Sequence, residues 1–295
     1  MSNTKNFLIA GKVGDFIHQL YAAKAICERD KVKAKLYMYG GGWDHGIKKT
    51  HGELKVILKQ QEYVESLNIL TQYTLDGPQT SIDNTPVIVK NKRILSEGYI
   101  DLGSWIRSDK LYNKCFSELY SNYFNFDMPK TYAWLKYNKV EKSLKNKILI
   151  HQRNHFPRIN KLFPYADIIK ACKGNAIFIA TDQDDYEMFP YKDKMPFLQV
   201  STLIEWVTAI NSCKAIITNL SGPAAIAHAL DKPRIIELSQ TPDMAHCIGE
   251  ERYSNNVFWY FNEYVNNLKY RFSDARTTFE GVTIDRNILI PGVDF

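Results

Sequence analysis

No stretch of this 295-residue chain approaches the ~18 consecutive apolar residues that a membrane crossing needs. The apolar run nearest its start, Phe7 to Ala10, is too short for the core of a secretory signal. A cytoplasmic protein without a membrane span is therefore expected. Cysteine is scarce and unpaired: Cys27, Cys115, Cys172, Cys213 and Cys247 are odd in number and widely spaced, with no C-x-x-C among them. That pattern argues against a zinc cluster or a disulfide framework and fits a reducing compartment. Internal repeats, low-complexity tracts and blocks of five or more like charges are also missing. The formal net charge of +6 would still draw polyanions such as nucleotides, anionic glycans or DNA. Its lysines are scattered (Lys31, Lys33, Lys35, then Lys139, Lys142, Lys145, Lys147), as on ordinary solvated faces.

What is present is alternation. The apolar stretch Asn6 to Ala10 reads as a strand. The turn Gly11-Lys12-Val13-Gly14-Asp15 follows it, then a helix with Phe16, Ile17, Leu20, Ala23, Ile26 and Cys27 on its apolar side. A second strand, Lys35 to Tyr39, runs into the glycine-rich loop Gly40 to Gly46, and Pro86 to Val89 reads as a further buried strand. The lysine-rich stretch Lys136 to Lys147 marks a domain boundary. Beyond it the pattern restarts, with strands at Ile148–His151, Ala176–Ala180, Ala215–Thr218 and Arg234–Leu238 and helices at Tyr165–Cys172, Leu203–Cys213 and Pro223–Leu230. Strands alternating with helices imply parallel sheets, hence an α/β chain of two doubly wound, Rossmann-like halves with a ligand-binding cleft between them. The aromatic-rich stretch from Val257 to Tyr270 is expected to be helical.

Several turns carry possible chemistry. The Gly11-x-x-Gly14-Asp15 turn puts backbone N–H groups and a helix dipole where an anion is favoured, but it lacks the third glycine of a dinucleotide fingerprint. Asp15 reads either as a helix cap or as a carboxylate able to take a proton from a hydroxyl. Arg153 and Lys161, in the loop after strand Ile148–His151, suit the oxygens of a diphosphate; surface ion pairing is the alternative. Thr181 and Asp182 could contact a nucleotide or cap a helix. Asn219, Ser221, Gly222 and Pro223 form a strand-to-helix turn with Pro near the first helical position, a second anion-binding helix start. His228 on the following helix reads as packing. Asp184 and Asp185 lack a partner motif for a metal or for glycoside hydrolysis, and no metal site is expected.

Three of these elements resemble glycosyltransferase family 9, the heptosyltransferase-like branch of the GT-B fold, and they occur in that family's order. Gly14-Asp15 with His18 resembles its early Gly-Asp-x-x-His element, and Lys161-Leu162-Phe163-Pro164 its Lys-x-Trp-Pro element. Ser221-Gly222-Pro223 through Lys232-Pro233 resembles its Asp-Ser-Gly-Pro-x-His element and following Lys-Pro, with Leu220 and Ala225 standing where the family has aspartate and histidine. His151-x-Arg153 followed by Ala180-Thr181-Asp182 is also similar to the GT-B fucosyltransferases, whose arginine at that place grips the donor diphosphate.

The resemblance implies an N-terminal acceptor-side domain (1–140), a C-terminal nucleotide-sugar-binding domain (141–256) and a C-terminal helical segment (257–295) packing across both. It implies metal-independent, inverting transfer of a sugar from a nucleoside-diphosphate sugar, a co-substrate rather than a bound cofactor, to a glycan or saccharide hydroxyl. Asp15 would be the base. Gly14, Arg153, Lys161, Thr181, Asp182, Asn219, Ser221, Gly222 and Pro223 would hold the donor. Trp43, Asp44, His45 and His51, read as lying in one N-terminal loop, are aromatic and hydrogen-bonding residues that suit a sugar, and with His18 are the candidate acceptor contacts. Transfer to a modified DNA base, which the positive charge and a Lys48-Lys49 loop would suit through phosphate contacts, nucleotide-sugar epimerisation, and a binding protein whose chemistry has decayed are the competing readings.

Overall fold

The computed structural model describes residues 3–40, 43, 46–75, 87–107, 116–127, 133–153, 165–219, 221–237 and 257–260. These divide into two compact units: Trp134–Lys136 is the last stretch of the first, and the second takes in Ala133 and everything from Tyr137 onward.

In the first unit the chain runs β1 (Thr4–Ile9), α1 (Val13–Asp30), β2 (Lys33–Met38), α2 (Ile47–Leu58), β3 (Val64–Ile69), β4 (Tyr73–Leu75), β5 (Val87–Val89), α3 (Lys92–Glu97), β6 (Ile100–Asp101) and α4 (Phe116–Phe124). Strands β3-β2-β1-β6, in that order, make a four-stranded parallel sheet. Central β1 buries Phe7, Leu8 and Ile9 completely, whereas β2 alternates, burying Ala34, Leu36 and Met38, as a strand packed on one face should. Helix α1 is buried nearly all round. It packs on β1 and β2, while His18 and Tyr21 meet aromatic residues from α4 and the segments after it: Phe116, Phe126 and Trp134. The Trp134 indole N–H donates to the Ile17 carbonyl at 2.7 Å.

The second unit carries β7 (Ile148–His151), α5 (Tyr165–Ala171), β8 (Ala176–Ala180), α6 (Gln183–Glu187), β9 (Phe197–Gln199), α7 (Leu203–Ser212), β10 (Ala215–Asn219), α8 (Gly222–Ala229), β11 (Arg234–Glu237) and β12 (Val257–Tyr260). Its six-stranded sheet, in the order β12-β11-β10-β7-β8-β9, is parallel throughout. Strands β7, β10 and β11 are buried at every residue, which is why each carries a short apolar run, with polar residues only at its ends. On one face Ile148, Ile150, Phe178 and Ile217 form a core with Ile168 and Ile169 of α5. Alternation turns Leu149 and Ile216 to the other face, and α8 also packs on β10 and β11. Helix α7 opens on a reciprocal cap: Glu205 N–H donates to Thr202 Oγ1 at 3.1 Å, and Thr202 N–H to Glu205 Oε2 at 2.9 Å.

Three expectations need correcting. Val87–Val89 is a strand, but it pairs antiparallel with β4 in a separate two-stranded ribbon. Its three residues include an exposed Ile88, and β6 holds the place beside β1. His51 and Lys48-Lys49, read as part of a loop, lie within α2. Val257–Tyr260, read as the start of a helical segment, extends the second sheet as β12, since four apolar and aromatic residues fit either period. Residues 261–295 lie outside the described part. Among the described residues no helix is long and apolar enough to cross a membrane.

Candidate functional site

Ligands of doubly wound sheets bind at the carboxyl edge where the strand order reverses, because the connections there depart in opposite directions and leave a crevice. In the first sheet that point is the end of β1, which has β2 on one side and β6 on the other. In the second it is the end of β7, between β8 and β10.

At the first point the chain leaves β1 through Ala10 and Gly11. Gly11 has φ +98°, and a Cβ on it would sit 2.6 Å from Asp15 Oδ2, so glycine is required both by conformation and by space. Gln19, fully buried in the second turn of α1, fastens this bend with its amide: it donates to Ala10 O at 2.7 Å and accepts from Ala10 N–H at 3.2 Å. Lys12 at the N-cap has no acceptor to offer, and Asp15 supplies the helix's cap by accepting Lys12 N–H on Oδ2 at 2.9 Å. The carboxylate is thereby held beside the Gly11 turn.

The remaining first-unit candidates scatter. His18 is buried and stacked on Phe116 at 4.1 Å, part of the aromatic packing around α1. Trp43 is buried too, edge-on to Phe16 at 6.0 Å, and its indole N–H has no hydrogen-bond partner among the described residues. His51 donates from Nε2 to the Leu67 carbonyl of β3 at 3.0 Å. Asp44 and His45 lie outside the described residues.

The second point gathers most of the predicted groups. His151 ends β7 in full burial. Its Nδ1–H donates to Ile179 O at 2.9 Å and its ring stands edge-on to Trp206 at 5.0 Å. Burial depresses its pKa from the ordinary value near 6.5 to about 4, so the ring is neutral at neutral pH. Arg153 follows, half-buried. Its backbone N–H donates to Asn219 Oδ1 at 3.3 Å and its carbonyl accepts from Asn219 Nδ2 at 3.1 Å, yet no described residue pairs with its guanidinium. Ser221 does not cap α8: its hydroxyl donates to Asn219 O at 3.1 Å and lies 3.2 Å from Thr218 Oγ1. With Pro223 lacking an N–H, the first-turn N–H groups of Gly222 and Ala224 are left without a side-chain cap or an intrahelical acceptor. Thr181, at the end of β8, accepts Trp206 Nε1–H on its hydroxyl at 3.0 Å. Asp182 occupies the N-cap of α6 without a capping bond from its side chain. His228 is buried on α8, its pKa held well below 6.5 by burial and by Arg234. Lys161, with residues 154–164, is outside the described part.

Reasoning from the sequence missed one feature altogether. Glu237, at the end of β11, is a carboxylate with only 2% of its surface exposed, accepting Tyr165 Oη–H at 2.5 Å and Gln152 Nε2–H at 3.3 Å. The only signal was an acidic residue closing an apolar strand. Burial, and next the charge on Glu237, raise the Tyr165 pKa well above 10, so that phenol stays a donor. Among the described residues no cluster of three or more His, Cys, Asp or Glu side chains is placed to hold a metal ion.

Two successive parallel sheets wound in this way are the GT-B fold. No protein-family model and no curated protein matches the chain. Solved structures do. The E. coli heptosyltransferase WaaC with ADP is 13% identical, with TM-score 0.54 over 92% of this chain and 100% of that one. The E. coli ADP-heptose lps heptosyltransferase II is 13% identical, with TM-score 0.52 over 87% of this chain and 90% of that one. A glycosyl transferase family 9 protein from Veillonella parvula is 12% identical, with TM-score 0.51 over 92% and 90%. At such identities what is shared is the fold.

The buried histidines generate a pH dependence of stability. His151 and His228 bind protons more readily unfolded than folded, so the contribution of each is whole above about pH 6.5 and declines as pH falls below it; for His151 the loss runs down to about pH 4. His151 should cost about 1.4 kcal/mol per pH unit across that window. Urea denaturation at pH 7, 5.5 and 4.5 should show the loss, and His151→Asn should lower the slope by about one proton.

Proposed function

We propose that this chain is a glycosyltransferase that moves a sugar from a nucleoside-diphosphate sugar to a hydroxyl of a saccharide acceptor, with the second unit holding the nucleotide. The observation that carries this reading is the edge at β7 and β10. There an arginine with no described carboxylate partner stands at the strand-order reversal, beside the uncapped start of α8. Guanidinium and helix N–H groups are the donors that diphosphate oxygens require, and a doubly wound sheet presents them at this edge. The GT-B fold shared with heptosyltransferases, one of them solved with ADP, supports the same class of donor.

In this reading the acceptor oxygen attacks the anomeric carbon as its proton passes to the Asp15 carboxylate. The bond from that carbon to the diphosphate breaks, and its electron pair leaves on the nucleoside diphosphate. One displacement from the face opposite the leaving group inverts the anomeric centre. Arg153, Lys161 and the N–H groups at the start of α8 neutralise the negative charge that gathers on the leaving oxygens, so cations of the chain do what a metal ion does elsewhere. Lys12 N–H orients the Asp15 carboxylate through the bond it already donates. A cytoplasmic location belongs to this reading and rests on the unpaired cysteine pattern.

Two outcomes test it. In a thermal-shift panel of ADP, GDP, UDP and CMP with their common sugar conjugates, one nucleoside diphosphate should stabilise the protein by about 2.7 kcal/mol at ~100 times its dissociation constant, and Arg153→Ala should remove most of that shift. No shift with any nucleotide would defeat the reading. Asp15→Asn keeps an acceptor for Lys12 N–H, so the melting temperature should hold while transfer falls by about 10²–10⁴-fold; unchanged turnover would remove Asp15 as the base.

A further inference from the structure

The parallel ladder between β7 and β10 ends at the pair His151–Thr218. Past that rung the chain continues the tie with side chains. The Asn219 amide both accepts Arg153 N–H (3.3 Å) and donates to Arg153 O (3.1 Å), copying a strand partner's two hydrogen bonds. One residue earlier, the side chain of Gln152 is anchored to Glu237 at the end of β11, which also holds Tyr165 of α5. Gln152, Asn219, Glu237 and Tyr165 are all at least nine-tenths buried. Two consecutive positions of the outgoing loop are thus fixed to two different strands, and of Arg153 only the side chain is left to move.

Both ends of the Asn219 amide are turned to the Arg153 backbone, one bond at Oδ1 and one at Nδ2. We infer that Asn219 is a positioning residue for the nucleotide site: it acts through the Arg153 backbone, with the Gln152–Glu237–Tyr165 group behind it, to present one guanidinium in one place. This rests on the nucleotide reading above. Preorganisation of this kind raises affinity by removing the ordering cost that a free loop arginine would meet on binding.

A double-mutant cycle separates the roles. Isothermal titration calorimetry would measure binding of ADP, GDP and UDP to the full chain, to Asn219→Ala, to Arg153→Ala and to the double variant. For whichever of the three binds, Asn219→Ala should weaken binding about 10-fold and Arg153→Ala about 10–100-fold, the range of one charge-assisted contact. The double variant should bind no more weakly than Arg153→Ala alone, because Asn219 has nothing left to act through. Losses that multiply would overturn the inference, as would an Asn219→Ala protein with a lowered melting temperature and unchanged affinity. Should Asn219→Ala fail to fold, Asn219→Ser runs the same cycle, since it stays polar and neutral but is too short to engage both the N–H and the carbonyl of Arg153. No binding of any of the three to the unaltered chain would defeat the nucleotide reading, and the positioning role with it. Binding with multiplying losses would defeat the positioning role alone.

Discussion

In a parallel sheet, a strand with later neighbours on both sides sends its outgoing chain one way while the next connection leaves in the opposite direction, so the two carboxyl ends part. In the second unit this parting falls between β7 and β10, and the reciprocal hydrogen bonds between Arg153 and Asn219 close it. Much else follows from that constraint. The loop after β7 must start from a fixed backbone, α8 must start just beyond Asn219, and Ser221 is drawn back onto β10 rather than forward onto its own helix. The Arg153 backbone and the start of α8 are brought to one edge because the topology opens there.

Keeping such an edge polar within a buried sheet has a cost, because each desolvated group needs a partner. The chain meets it in pairs. Gln19 satisfies both backbone groups of Ala10 in the first unit, Asn219 does the same for Arg153 in the second, and Glu237 collects Tyr165 and Gln152. Burial holds His151 neutral, and its one N–H is spent on Ile179. Against that background the Arg153 guanidinium has no partner among the described residues.

How far this was legible in the sequence depended on the range of the interactions involved. Strands β7, β8, β10 and β11 announced themselves because burial within a parallel sheet makes short apolar runs, and Pro223 marked the start of α8. Edge strands did not. Val64–Ile69 carries Glu65, Ser66 and Asn68, and Phe197–Gln199 has only three residues, so neither shows a clear period. Helix α2, with a glycine and three lysines, passed for loop. At the site, Arg153 and the Ser221 turn could be picked out as residue types at the right ends of strands. The partners that fix them could not: Asn219 lies 66 residues from Arg153 and Glu237 85 from Gln152, and nothing local in a sequence encodes such pairs. Asp15 showed the opposite limit, since capping and catalysis call for the same residue at the same place. Its bond to Lys12 N–H establishes the first role without bearing on the second.

The central claim is that a nucleoside diphosphate binds at the carboxyl edge of the second sheet. Hydrogen–deuterium exchange of the full chain, with and without a saturating nucleoside diphosphate, tests it most directly. The account predicts protection concentrated at residues 151–153 and 219–225, with β1 to β6 little changed. Protection confined to the first unit, with residues 151–153 and 219–225 exchanging as before, would contradict it.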